Sequence, residues 1–287
     1  MKFGLAFASS VGTDSDSSVE LCRRAEALGF DSVWGGEHVI VPAHIDSPYP
    51  YTPDGEMPGE EDTLIPDPLI WLAYVASAAP TLRLGTCILI LPQRNPIVLA
   101  KELATLDHLS GGRVELGIGV GWMREEFGVL GVPWERRGAR TDEYVAAMKA
   151  LWAAPRAEFH GEFVDFAPVT CSPRPLQASI PIMVGGDTPA AIRRAARYGD
   201  GYFPGTTEPE QLQSRVVDLR SAAVAQQRDP DSIEINAIFG PQIVDPVAGV
   251  EQFEKFGVDR AMIPAFFFVG PGGLDRLEEF AEKAIAR

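Results

Sequence analysis

The sequence predicts an α/β fold: a closed (β/α)8 TIM barrel with a long loop after its second strand. Three observations carry this. The chain has 287 residues, and a barrel of this kind typically needs ~250. Short apolar runs alternate with amphipathic stretches from end to end, which implies parallel strands joined by helical crossovers. The pattern repeats eight times, which favours closure over an open sheet. No linker, repeat or low-complexity segment interrupts it, so residues 1–287 are expected to form one domain.

Residues 2–8 read as the first strand. A helix over 17–28 places Val19, Leu21, Cys22, Ala25 and Leu28 on one face, and Gly29 stops it. The second strand, 31–34, runs into Gly35, Gly36, Glu37 and His38. Residues 42–66 then contain six prolines and no periodicity. So long a loop in a compact domain is usually functional or mobile, and its place after strand two predicts a lid over the barrel mouth. A helix over 67–79 has Pro68 in its first turn. Next come a strand at 82–91, a helix at 96–109, a strand at 113–118 and a helix at 141–153. His160 to Phe163 reads as a hairpin turn between short strands. Strands at 180–184, 201–203, 233–239 and 260–263 then alternate with helices at 188–198, 208–226, 247–256 and 274–286.

Forty acidic residues against 25 basic ones give a net charge of −15. The densest basic stretch is Arg136, Arg137 and Arg140, too short to track a nucleic acid or an anionic membrane. Three cysteines, Cys22, Cys87 and Cys171, form no Cys-x-x-Cys pair. This argues against a disulfide scaffold and a zinc site, and fits a reducing cytoplasm. No metal is expected. No apolar run approaches ~18 residues, and the opening one is too short for a signal peptide.

In such a barrel the chemistry belongs at the C-terminal strand ends. His38 is the side chain there best suited to exchange a proton near neutral pH, and Glu37 is a carboxylate beside it. Cys87 sits among branched apolar residues and reads as an inert buried thiol. Arg94 and Asn95 either cap the next helix or meet a ligand. Gly117, Gly119 and Gly121 leave the backbone open to something flat, but their spacing is a weak dinucleotide signal. Gly185, Gly186 and Thr188 precede a helix, and read as a phosphate cradle or an ordinary capped helix.

Five stretches together resemble the luciferase-like monooxygenases and the coenzyme F420-dependent oxidoreductases of actinobacteria. They are GFDSVWGGEH (29–38), LGTCILILPQRNP (84–96), SGGRVELGIGVGW (110–122), IPIMVGG (180–186) and RRAARYGDGY (193–202). The resemblance implies a coenzyme ring across the barrel mouth, with its phosphate near the fifth strand. Glu37 and His38 match the acid–histidine pair near the ring, the histidine being a proton donor in sugar-phosphate dehydrogenases of this family. Cys87 and Ile88 match a peptide that is cis in deazaflavin members. Gly185, Gly186 and Thr188 match the phosphate loop, and Val120, Gly121 and Glu125 match coenzyme contacts. The chain departs from the sugar-phosphate enzymes in Glu37, which replaces an aspartate, and in Trp122, which replaces their catalytic glutamate. Their phosphate-binding lysines have no match, so glucose 6-phosphate is not expected.

The resemblance thus implies an F420-dependent oxidoreductase moving a hydride between deazaflavin C5 and a small organic molecule. One alternative is an FMN-dependent monooxygenase served by a separate flavin reductase. Another is a non-catalytic flavin- or deazaflavin-binding protein. A homodimer is the expected assembly.

Overall fold

A computed structural model of the chain describes residues 1–59 and 63–286. In chain order its main elements are β1 (Lys2–Ala6), α1 (Ser15–Ala27), β2 (Ser32–Gly35), α2 (Pro68–Val75), β3 (Arg83–Thr86), β4 (Leu89–Ile90), α3 (Pro96–Ser110) and β5 (Val114–Gly119). They continue with α4 (Arg124–Val129), α5 (Arg137–Ala153), β6 (Ala157–His160), β7 (Asp165–Val169), β8 (Ile182–Gly185) and α6 (Pro189–Tyr198). The last are β9 (Gly201–Phe203), α7 (Pro209–Ala225), β10 (Glu234–Ile238), α8 (Pro246–Phe256), β11 (Arg260–Pro264) and α9 (Gly273–Ala284).

The sheet is parallel and closed, as expected. β1 pairs with both β2 and β11, and β3 pairs with both β2 and β5. Counting β3 and β4 as one interrupted strand gives the eight strands of a TIM barrel. Beside the expected continuous strand at 82–91, this interruption is the main difference. Gly85 stands opposite Glu115 and Leu89 opposite Ile118, so four steps along β3–β4 meet three along β5. The extra residue falls at Cys87–Ile88, whose peptide is cis, as the resemblance implied. β6 and β7 form the expected hairpin outside the barrel.

Several helices begin by one local device, a capping side chain followed by proline. Asp67, Asn95, Thr188 and Asp245 each accept backbone N–H groups of the first turn, and Pro68, Pro96, Pro189 and Pro246 follow them. Each cap contributes about 1 kcal/mol, and proline at the first position loses no hydrogen bond. The core between barrel and helices is apolar, including Leu5, Val33, Leu84, Leu116, Ile182 and Ile263.

The barrel interior is layered. At its lower end Arg260 is fully buried and gives hydrogen bonds to Glu115 (2.7 and 3.2 Å), Asp31 (3.1 Å) and Asn236 (3.2 Å). Its ion pair with Glu234 is 3.0 Å long. Above it lies Trp34, for which Gly85 leaves room; a Cβ there would fall 2.1 Å from the indole. The upper layer is a separate apolar cluster of Ala6, Trp34, Cys87, Met183, Phe203 and Met262. Phe7, Ile88 and Ile238, partly exposed, pack on it.

Candidate active site

The upper layer forms an apolar floor below the strand ends. Ile88 extends across it because β5 and β8 end in glycine. A Cβ on Gly119 would fall 1.9 Å from Ile88 Cδ1, and one on Gly185 3.1 Å from its Cγ2. The strand-end glycines of β5 and β8 therefore make room first for the chain's own side chain. Phe7 follows β1 in the left-handed region (φ 56°), which a bulky residue seldom adopts, and stacks on Phe266 with ring centroids 6.1 Å apart. Cys87 lies within this floor, and burial pushes its thiol up to about 12. It is a neutral packing group at physiological pH.

Glu37 and His38 turn to different partners. The Glu37 carboxylate is buried, accepts Ile90 N–H at 2.6 Å and is held by Arg94, whose Nε lies 2.9 Å away. Arg94 also binds Asp67, the cap of α2, at 2.6 Å. Burial raises the pKa of Glu37, only partly offset by Arg94. Glu37 therefore ties the end of β2 to β4 and α2.

The carboxylate beside His38 is Glu126. Its Oε2 lies 3.0 Å from His38 Nδ1, and its Oε1 accepts Val39 N–H at 2.7 Å. Glu126 is 0% exposed. Burial opposes its ionisation, but the His38 and Val39 contacts outweigh that and hold its pKa below the ordinary value. The His38 ring stands edge-on to Trp122 at 5.8 Å. With Nδ1 taken, Nε2 is the nitrogen left for a ligand.

The long loop lies over the mouth, the placement expected of a lid; its residues 60–62 are outside the described ones. Asp46 and Ser47 give their N–H groups to Glu125, both at 3.1 Å. Tyr49 packs edge-on against Trp122 at 5.1 Å. The Tyr51 ring lies on Gly205, where a Cβ would meet it at 2.0 Å, and its hydroxyl is near Gly186. Glu125 thus ties down the loop, and Val120 and Gly121 follow β5 at the rim.

Gly185 closes β8, and Gly186 (φ 110°) gives its N–H to Phe203 O at 3.1 Å. The Thr188 hydroxyl accepts Ala191 N–H at 3.2 Å as the cap of α6. Asp187 turns aside to accept Gly205 N–H at 3.0 Å. Of the sequence-expected residues, His38, Cys87, Ile88, Val120, Gly121, Gly185, Gly186 and Thr188 lie at or beside the C-terminal strand ends.

A family profile for luciferase-like monooxygenases matches residues 1–248. The chain belongs to the luciferase-like monooxygenase family. An uncharacterized protein of Mycobacterium tuberculosis is 34% identical over 286 residues, covering 96% of each chain. Two functionally named relatives match part of this luciferase-like chain. An F420-dependent glucose-6-phosphate dehydrogenase of Kineococcus radiotolerans is 36% identical, over 63% of this chain and 49% of its own. An FMNH2-dependent dimethylsulfone monooxygenase of Pseudomonas putida is 37% identical, over 52% of this chain and 43% of its own. In fold, the chain resembles the coenzyme F420-dependent tetrahydromethanopterin reductase of Methanopyrus kandleri. The TM-score is 0.78 at 18% identity, over 99% of this chain and 98% of that one.

Glu126 was not among the residues read from the sequence. The signal available was two adjacent acids, Glu125 and Glu126, just past the β5 glycines, and they divide the work. Glu125 binds the lid, and Glu126 binds the histidine. Helix α4, which carries them, has only six residues and shows no readable periodicity. No helix among the described residues is long and apolar enough to cross a membrane.

Proposed function

We propose that this luciferase-like protein is a coenzyme F420-dependent oxidoreductase acting on a small organic substrate. The observation that carries it is the His38–Glu126 pair beside an apolar floor at the barrel mouth. Mostly apolar pockets with few placed polar groups suit planar ligands. The strand-end glycines and Ile88 leave a surface on which a flat ring packs, so the residues present fit such a coenzyme. When bound, the deazaflavin supplies hydride acceptance or donation at C5.

The chain's own residues do the rest. Ile88 and the floor bind one face of the ring. Val120, Gly121 and Gly185 border it, and Gly186 and Thr188 lie at its phosphate end. Glu126 holds His38 Nδ1, so that Nε2 gives a proton to the substrate oxygen or takes one from it. Glu37 acts on the site through Arg94 and the β2 end. The lid, held at Glu125 and Trp122, excludes water.

A second reading is an FMN-dependent monooxygenase supplied by a separate flavin reductase; the dimethylsulfone monooxygenase relative favours it. We place the protein in the cytoplasm as a homodimer. Exposed Ile70 and Tyr74 of α2, with Val98 and Leu109 of α3, supply an apolar face for the second copy.

Titration with F420 and with FMN, followed by tryptophan fluorescence, tests the coenzyme. Tighter binding of F420 is expected. Micromolar FMN binding without response to F420 replaces this reading with the second, and silence to both overturns the two together.

A further inference from the structure

We propose that a cavity on the outer side of His38, away from the apolar floor, is the proton exit of the site: a water-holding passage that joins the His38–Glu126 pair to solvent. The proposal rests on the relay reading of His38 given above.

The cavity has a volume of about 370 Å³ and lies among the cap of α2, the first turns of α3 and the end of α4. His38 lines it, but Phe7, Ile88 and Trp122 do not, so it is separate from the floor and the mouth. Its walls are polar. Buried Glu37 and its partner Arg94 line it, followed by half-buried Asp67 and exposed Glu102. A polar space of this size holds several waters, each of which takes about 30 Å³ in the liquid.

His38 needs such a passage. Its side chain is 11% exposed, and Glu126 is fully buried. Val39 and Ile40 give their N–H groups to Glu126 Oε1 at 2.7 and 3.4 Å, and Trp122 stands edge-on to the imidazole. With a ring on the floor and the lid closed, the mouth offers the proton no water. Each turnover nevertheless leaves the pair with one proton too many or too few. In alcohol oxidation the substrate O–H breaks as an imidazole N–H forms, and an imidazole N–H then breaks as cavity water takes the proton to solvent. In carbonyl reduction one proton enters by the same way. No electrons move along the passage.

Two side chains suit this use. Gln93 lines the cavity, and its amide stands close enough to Glu126 to help lower the pKa of that carboxyl. Yet neither atom of the buried amide makes a well-formed hydrogen bond among the described residues. A buried amide without a partner is costly, and a small rotation brings it onto cavity water. At the outer end, partial burial, against the pull of Arg94, raises the pKa of Glu102. Glu102 therefore takes up a proton more readily than a free carboxylate does.

The test reads proton exchange at His38 directly and needs no substrate. The chain has four histidines, so nitrogen-15 labelling of the rings, with His38→Ala for assignment, isolates the His38 signal. Exchange of its ring N–H with water is measured by saturation transfer in wild type, Leu130→Trp and Leu130→Ala. Leu130 lines the cavity from the end of α4; tryptophan there fills the space and alanine widens it. Leu130→Trp is expected to slow exchange by about tenfold or more, because the proton then waits for local opening. Leu130→Ala is expected to keep or raise the wild-type rate. Melting curves check folding. If Leu130→Trp does not fold, Val98→Trp fills the cavity from α3, with sedimentation to check its assembly. Exchange as fast in the filled variant as in wild type overturns the proposal, and so does equal slowing in Leu130→Trp and Leu130→Ala. Wild type is then measured again with saturating F420 or FMN, and exchange is expected to persist. Exchange that stops when either coenzyme binds makes the mouth the route and overturns the proposal. If neither binds, the coenzyme reading has failed, and the filled variant alone decides whether the cavity is the exit.

Discussion

Two buried glutamates, eleven residues apart, hold nitrogen bases at opposite ends of the barrel. Glu115, on β5, holds Arg260 and Arg83 at the lower end, and Glu126, on α4, holds His38 at the mouth. Burial disfavours the charge on both, and both remain below their ordinary pKa because the partner outweighs burial. The partner makes the difference. A guanidinium keeps its proton at any working pH, so the lower pair is fixed charge. An imidazole as a group can give up its proton, which is what the relay proposed for the upper pair requires. On the proposed reading, the same device serves structure at one end and chemistry at the other, according to whether its base can let go.

The comparison breaks most readily at its lower end. Arg260→Met leaves Glu115 and Asp31 buried without their main cation. An unfolding free-energy loss of about 3–5 kcal/mol is expected in urea titrations. A loss below about 1 kcal/mol means that Arg83 and water suffice, and that the lower pair is not the structural one.

The next test sharpens how the floor is held. In Gly117→Ala the new Cβ would fall 1.9 Å from the backbone oxygen of Thr86, which cannot swing aside as a side chain does. We expect a loss of about 1–3 kcal/mol, measured in the same way. A neutral result shows that β3 and β5 separate without cost.

The smallest effect belongs to Glu126→Gln. The amide oxygen still accepts Val39 N–H, so the expected loss at neutral pH is only about 1 kcal/mol. The pH dependence carries more information. The folded-state pKa of Glu126 lies below its ordinary value of 4.5. Its contribution is therefore present above that value and lost as pH falls through the folded pKa. Unfolding free energies at roughly pH 7 and roughly pH 4 should differ less in the variant than in wild type. An equal difference means that Glu126 is not ionised against His38.

The fold was legible because period and punctuation agreed. Apolar runs at 31–34, 113–118 and 260–263 and the Asp67-Pro68 and Asn95-Pro96 pairs marked elements that the structure contains. The break between β3 and β4 was hidden, because 84–91 reads as one largely apolar run and nothing in its periodicity marks Cys87–Ile88. Only the resemblance pointed there. In the site, His38 was legible from its place at a strand end. Its carboxylate was not, because Glu126 lies 88 residues away and reaches it through the closure of the barrel. Adjacency in sequence suggested Glu37, but neighbours on an extended chain point apart, and Arg94 draws Glu37 away.

The most direct test of the account is His38→Ala, with coenzyme affinity and turnover at saturation measured separately. The account predicts a coenzyme Kd within a few-fold of wild type and a turnover lower by about 10²–10⁴-fold, the usual contribution of a placed acid–base group. A steep loss of coenzyme affinity with turnover at saturation unchanged would contradict it, and would make His38 a wall of the pocket and no part of a relay.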